Sequence, residues 1–193
     1  MTTPQTRLPP LPRERWDDAV LEALRPTGTA AGPVPNAFTT FAHNPRVAKA
    51  FFSYHAELVR RATLDARAGE LLLLRVAWRT RSAYQWAQHS RIAGRFGITA
   101  DELGSLSTDR LGPTWSAFEG LLLRAVDEVV ENFQLTAATW ASLAASLDEA
   151  QLVELVMLIG FHTSTAIAMN SFAIAFDDDL LDVPLPSGFG HDG

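Results

Sequence analysis

The stretch from Leu152 to Phe176 constrains the fold more than any other part of the chain. It is long and apolar enough to be tested as a membrane span. Yet it contains Glu154, His162, Thr163, Ser164, Thr165 and Asn170. These groups are costly in lipid, and no basic residue flanks the run as a cytoplasmic anchor. The pattern predicts one or two helices buried in an oligomeric core, with no membrane partner.

The rest of the chain also carries helix signals. Trp16 to Leu24 shows apolar residues at helical spacing. Pro26 to Pro35 reads as a loop, and Asn36 to Phe41 as one turn. Asn44 followed by Pro45 marks a helix start, because Asn caps and Pro is tolerated at the first helical position; that helix runs to about Arg61. Thr63 is the expected cap of a helix from Asp65 to about Arg81, and a further helix runs from near Ser82 to just before Gly97. Thr99 with Glu102 has capping-box spacing, and residues 104–113 read as a loop. Trp115 to Glu131 carries an apolar stripe. Thr136 caps a helix to about Leu147, and Asp148 with Gln151 starts the long apolar segment. No stretch alternates with period two, so the fold class is all-α, a bundle of about eight helices. Residues 1–13 form an extended Pro-rich arm, 14–176 a single helical domain, and 177–193 an acidic tail containing Pro and Gly.

Composition narrows the chemistry. The 193 residues include no Cys, which excludes a disulfide, a thiolate nucleophile and a Cys-based metal site. With 22 acidic and 16 basic residues the net charge is −6, so nucleic acid is not an expected partner. Lys49 is the sole lysine, leaving little scope for Schiff-base chemistry. No nucleotide-binding glycine motif and no helical pair of metal-binding histidines is present, so neither cofactor nor metal is expected. The N-terminus lacks the pattern of a signal peptide, and the default location is cytoplasmic.

The densest polar constellation lies between Glu70 and His89. The segment 70–81, ELLLLRVAWRTR, is apolar nearly all round and should be buried on most faces. Within it Arg75 and Arg79 share a face. Ser82, Gln85 and His89 follow at i, i+3 and i+7, on one stripe of the next helix, and Trp86 can wall His89. Histidine is the side chain best suited to exchange protons near neutrality, and a carboxylate on an adjacent helix can set its tautomer. Spacing alone equally allows a buried structural histidine. His162 reads as a core or subunit-contact histidine, His55 as a pocket-lining candidate, His43 as a loop residue, and His191 as part of the tail.

The segment GELLLLRVAWRTRSAYQWAQHSRIAGRFGIT, flanked by GPVPNAFTTFAHNPRVAKAF and DEAQLVELVMLIGFHTSTAIAMN, resembles the carboxymuconolactone decarboxylase-like family, which includes the alkylhydroperoxidase D-like proteins. The resemblance covers roughly residues 30–175. It implies an all-α bundle assembling into trimers or hexamers with sites near subunit contacts. The peroxidase-like branch has a Glu, two Cys three apart, and a His four beyond the second Cys. On this chain these positions are Glu70, Ser82, Gln85 and His89. Without thiols, dithiol peroxide reduction is excluded. The decarboxylase branch needs no Cys and implies proton transfer by His89. Many similar sequences carry acids where this chain has Ala83 and Gln85, which leaves Glu70 as the acid of the motif.

Two functions compete. The first is a cofactor-free lyase or isomerase acting on a small carbonyl or lactone compound. His89 is then the acid/base and Glu70 its orienter, Ser82, Gln85 and Trp86 line the site, and Arg75 or Arg79 holds a substrate carboxylate. The second is a non-catalytic binding or assembly protein that keeps a homo-oligomeric, trimer-based scaffold.

Overall fold

The computed structural model describes residues 6–28 and 33–189. Part of the expected arm, the loop residues 29–32 and His191 lie outside the described residues. Among the described residues there are nine α-helices, four short 3-10 helices and no strand. The α-helices are α1 (Asp18–Leu24), α2 (Asn36–Phe41), α3 (Pro45–Arg60), α4 (Ala66–Arg79), α5 (Ala83–Ile92), α6 (Ala100–Leu106), α7 (Ala117–Asn132), α8 (Ala137–Ala144) and α9 (Glu149–Phe172). The chain forms two compact units. One holds the described residues up to Arg61 together with Ala168–Asp182, and the other holds Ala62–Ile167 with the described residues from Val183 onward.

The first unit is built on aromatic packing. Leu24, Ala48 and Phe52 are buried in a cluster that Phe38, Phe41 and Phe51 pack against. Phe38 meets Phe52 edge-on at 4.8 Å between ring centroids, a favoured aromatic geometry. Asp17 caps α1 by accepting from the Val20 N–H, so that helix starts two residues later than its apolar spacing implies. In the arm, the N–H groups of Arg7 and Leu8 both donate to the Phe172 carbonyl. His43 contacts the Pro9 carbonyl at 3.0 Å through Nε2, and the His55 ring lies 6.5 Å from Phe38.

In the second unit α4 is the central helix. Leu71, Leu72, Leu74, Val76 and Ala77 are fully buried, which agrees with its apolar circumference. Asp65, not Thr63, caps it, by accepting from the Arg67 N–H. Thr63 is occupied elsewhere: its N–H and hydroxyl, with the Leu64 N–H, donate to Glu154 of α9. Capping boxes start α6 (Thr99 with Glu102) and α7 (Ser116 with Glu119). Arg67 draws these two helix starts together by pairing with Glu102 at 2.6 Å and Glu119 at 2.9 Å. Helix α6 occupies part of the expected 104–113 loop, ending at Leu106. The segment after Val183, part of the expected acidic tail, packs in this unit: Phe189 is buried and stacks on Trp78 at 5.6 Å.

The apolar segment read as one or two helices forms the single helix α9. It is long and apolar enough to cross a membrane by length and composition, and half of its most apolar window is buried within the protein. Its polar groups have work inside the domain: Glu154 as described, and Thr163 and Thr165 through bonds to the Ile159 and Phe161 carbonyls.

Candidate active site

The turn between α4 and α5 sets the site. After Thr80 the chain enters the left-handed region at Arg81, with φ 54°. The Ser82 N–H donates to the Ala77 carbonyl and the Arg81 N–H to the Trp78 carbonyl, which is the paired bonding of a Schellman ending. Glycine usually takes the left-handed position because a Cβ there costs energy. Here Arg81 is compensated by its guanidinium, which lies over the Trp78 ring at 4.1 Å, a cation–π contact. The turn folds α5 back along α4, so that a residue early in α4 meets one late in α5.

Those residues are Glu70 and His89. His89 Nδ1 lies 2.8 Å from Glu70 Oε1; the Glu70 side chain is 7% exposed and that of His89 26%. A carboxylate can only accept, so Nδ1 donates. The neutral ring then carries its lone pair on Nε2, which has no hydrogen-bond partner among the described residues. The imidazole is thus oriented, held as one tautomer, and partly open to solvent.

Ser82 and Gln85 are both buried, at 0% and 3% exposure. Their residue types and spacing are those of a capping box, with Ser at the N-cap of α5 and Gln three residues on. Neither side chain caps the helix. Instead Gln85 Nε2 donates to the His162 carbonyl at 3.3 Å and approaches His162 Nδ1 at 3.5 Å. The Ser82 hydroxyl and Gln85 Oε1 are buried without a protein partner. A capping bond of this kind is worth about 1 kcal/mol, and this helix start forgoes it.

His162 is the residue that spacing did not bring to the site. It is buried in α9, and its ring centroid is 6.4 Å from that of His89. The signal available in the sequence was a histidine in a helix otherwise apolar enough to span a membrane, where a polar side chain needs a partner.

The two arginines require a correction. Arg75 is fully buried and turned away from the stripe. Its Nε and Nη2 donate to the Asp127 carboxylate at 2.7 and 2.8 Å, and its Nη1 to the carbonyls of Leu106 and Thr108. Arg79 pairs with the same Asp127 and with Glu131. Both therefore tie α4 to α7 and are not positioned to hold a substrate carboxylate. Trp86 is likewise a core residue, buried with Leu71, Leu74 and Trp78 and 5.8 Å from the Phe189 ring. Two surface clefts, one of about 400 Å³ beside Trp115 and Arg124 and one of about 640 Å³ beside Trp140 and Leu147, are not lined by Glu70, Ser82, Gln85 or His89. Among the described residues no group of three or more His, Asp and Glu side chains is placed to hold a metal ion.

Comparison with known proteins agrees with this architecture. Residues 45–121 match the model of the carboxymuconolactone decarboxylase family. A search of curated proteins found no significant match. Among solved structures, an uncharacterized peroxidase-related protein from Silicibacter sp. TM1040 is similar with a TM-score of 0.77 at 17% identity, over 93% of this chain and 97% of that one. The alkylhydroperoxidase AhpD core of an uncharacterized peroxidase-related protein from Ralstonia eutropha JMP134 gives 0.76 at 18%, over 90% and 94%. The debrominase Bmp8, as a cysteine-to-alanine variant in complex with 2,3,4-tribromopyrrole, gives 0.72 at 14%, over 93% and 96%.

Proposed function

We propose that this chain, whose residues 45–121 match the carboxymuconolactone decarboxylase family and whose fold is AhpD-like, is a cofactor-free lyase or isomerase moving protons on a small carbonyl or lactone compound. The observation that carries the reading is the 2.8 Å contact between Glu70 and His89 Nδ1, which leaves Nε2 as the base. Nε2 removes a proton from the carbon next to the carbonyl, the C–H electron pair becomes the enolate double bond, and Glu70 compensates the imidazolium. Returning that proton to a different carbon isomerises the substrate. In a β-keto acid the enolate forms instead when carbon dioxide leaves, and protonated His89 supplies the proton that quenches it. Without cysteine the chain does not follow the dithiol route of the peroxidase-like branch. That the fold holds small rings is supported by the debrominase neighbour, which binds a bromopyrrole.

The chain self-associates, in this reading, through α9. Val153, Met157, Gly160, Ser164 and Ile167 are all exposed along one face, and their alternating spacing of four and three is that of a helix-packing seam. A second reading, a non-catalytic assembly scaffold, is favoured by the two clefts lying away from His89.

The test is solvent deuterium exchange at the acidic carbon of acetoacetate and α-angelica lactone, followed by proton NMR. The wild-type protein is expected to accelerate exchange, and His89→Ala to lose about 10²–10⁴-fold while keeping its fold and assembly state. No acceleration by folded wild-type protein, or equal rates for His89→Ala, favours the scaffold.

A further inference from the structure

We propose that Phe189 is a positioning residue of the candidate active site: reaching back from the C-terminal segment, it clamps the α4–α5 hairpin and so keeps His89 on Glu70. The kinetic part of this inference rests on the proton-transfer reading above; its structural part does not.

The pairing of Glu70 with His89 depends on how α5 lies against α4, because one residue is early in the first helix and the other late in the second. Each helix contributes an indole to the same buried cluster, Trp78 from α4 and Trp86 from α5. Phe189 touches both. Its ring stacks on Trp78 at 5.6 Å with an interplanar angle of 25°, and it meets Trp86 at 5.8 Å. One phenyl ring therefore bridges the two arms of the hairpin, and aromatic pairs of this kind gain energy beyond the area they bury. On α5, Trp86 lies three residues before His89, within one helical turn on the same side. On α4, the cluster includes Leu71, the residue after Glu70. A shift of α5 that opens the Trp86 contact carries His89 with it.

The turn of the hairpin needs such support. Arg81 sits there in the left-handed region, which is costly for a residue with a Cβ. Its compensating cation–π contact is made to Trp78, the ring on which Phe189 stacks. The C-terminal segment is shaped to reach that ring. Gly188 has φ 86°, a conformation that favours glycine, and a Cβ there would lie 3.5 Å from Arg81 Nη1. The chain thus passes beside the guanidinium and turns Phe189 inward. Among the described residues no hydrogen bond ties residues 183–189 to a helix. Leu185 is 39% exposed and Phe189 only 5%. The buried phenyl ring is the anchor of the segment, delivered to the place where the two indoles meet.

Two measurements test this. Long-range proton–nitrogen NMR on uniformly labelled protein reads the His89 tautomer without any substrate. Wild type is expected to carry hydrogen on Nδ1 alone, the nitrogen that faces Glu70. Phe189→Ala should show a mixture of both tautomers, because a ring released from Glu70 can carry its hydrogen on either nitrogen. Phe189→Leu, which keeps much of the apolar volume and loses the stacking, should show a smaller share of the second tautomer. Leu185→Ala, on the same segment, should match wild type. Hydrogen on Nδ1 alone in folded Phe189→Ala, or in Phe189→Leu where the Ala variant does not fold, overturns the inference. In the exchange assay with acetoacetate, Phe189→Ala is expected to lower kcat by about 10–10²-fold, the scale of a small misplacement, with KM within about twofold of wild type. If His89→Ala abolishes exchange while the folded Phe189 variants keep the wild-type kcat, Phe189 is structural and the inference fails while the proton-transfer reading stands. If wild-type protein does not accelerate exchange, that reading fails and the tautomers alone decide the clamp.

Discussion

Replacing Asp127 with Ala should destabilise the protein by about 2–3 kcal/mol, and the figure follows from the surroundings of Arg75. The guanidinium is fully buried and makes four hydrogen bonds, two of them to the Asp127 carboxylate. Asp127→Ala leaves Nε and Nη2 without acceptors and the charge held only by the carbonyls of Leu106 and Thr108. Truncating one partner of a buried pair costs about 3–5 kcal/mol. Asp127 itself is 23% exposed, so water reaches the vacated side and the lower estimate applies. In a chain of this size each kcal/mol moves Tm by about 2–4 °C, which gives a fall of about 4–12 °C by circular dichroism. The double variant Arg75→Met with Asp127→Leu should recover part of the loss, because it removes the charge together with its partner. An Asp127→Ala variant within about 0.5 kcal/mol of wild type, the range of an ordinary surface change, would refute the assignment of Arg75 as the buried tie between α4 and α7.

Acid stability should depend on Arg67. Its hydrogen bond to Glu102, together with the helix-start bonds from Thr99, outweighs burial and holds that carboxyl below its ordinary value. A depressed folded-state value contributes stability above the unfolded value and loses it as pH falls through the folded one; urea unfolding from pH 7 down to pH 3 should therefore steepen less in Arg67→Met than in wild type. With no cysteine, turnover of an alkyl hydroperoxide with a dithiol reductant should equal the protein-free blank. Light scattering at micromolar concentration should give a homo-oligomer, and Met157→Glu on the exposed face of α9 should shift it toward monomer; a monomeric wild type counts against the assembly proposal.

What the sequence disclosed follows the range of the physics involved. Asn44 before Pro45 and the Thr99–Glu102 box were legible because a cap is decided within four residues. Gln85 and His89 share a face because they lie four apart within α5, whereas Ser82 stands at the N-cap with ψ 88°, outside the helical geometry that the spacing assumed. Thr63 and Asp65 are both competent caps two residues apart, and Glu154, far along the chain, decides between them by occupying Thr63. The direction of Arg75 was not legible, since α4 is apolar all round and its polar partner Asp127 lies on another helix. Phe189 looked like part of a tail until Trp78 gave it a surface to stack on. The contact between Gln85 and His162 required the structure, because the two residues lie on different helices far apart in the chain.

The most direct test of the Glu70–His89 pair as one working unit is a double-mutant cycle on deuterium exchange, using His89→Ala, Glu70→Gln and the two combined. Residues that act through one another are strongly non-additive. If Glu70 works only by orienting the His89 ring and compensating its charge, the double variant should be no slower than His89→Ala alone, and Glu70→Gln alone should cost less than His89→Ala. Losses that multiply across the two positions would contradict the account, because they would mean that the carboxylate and the imidazole contribute independently.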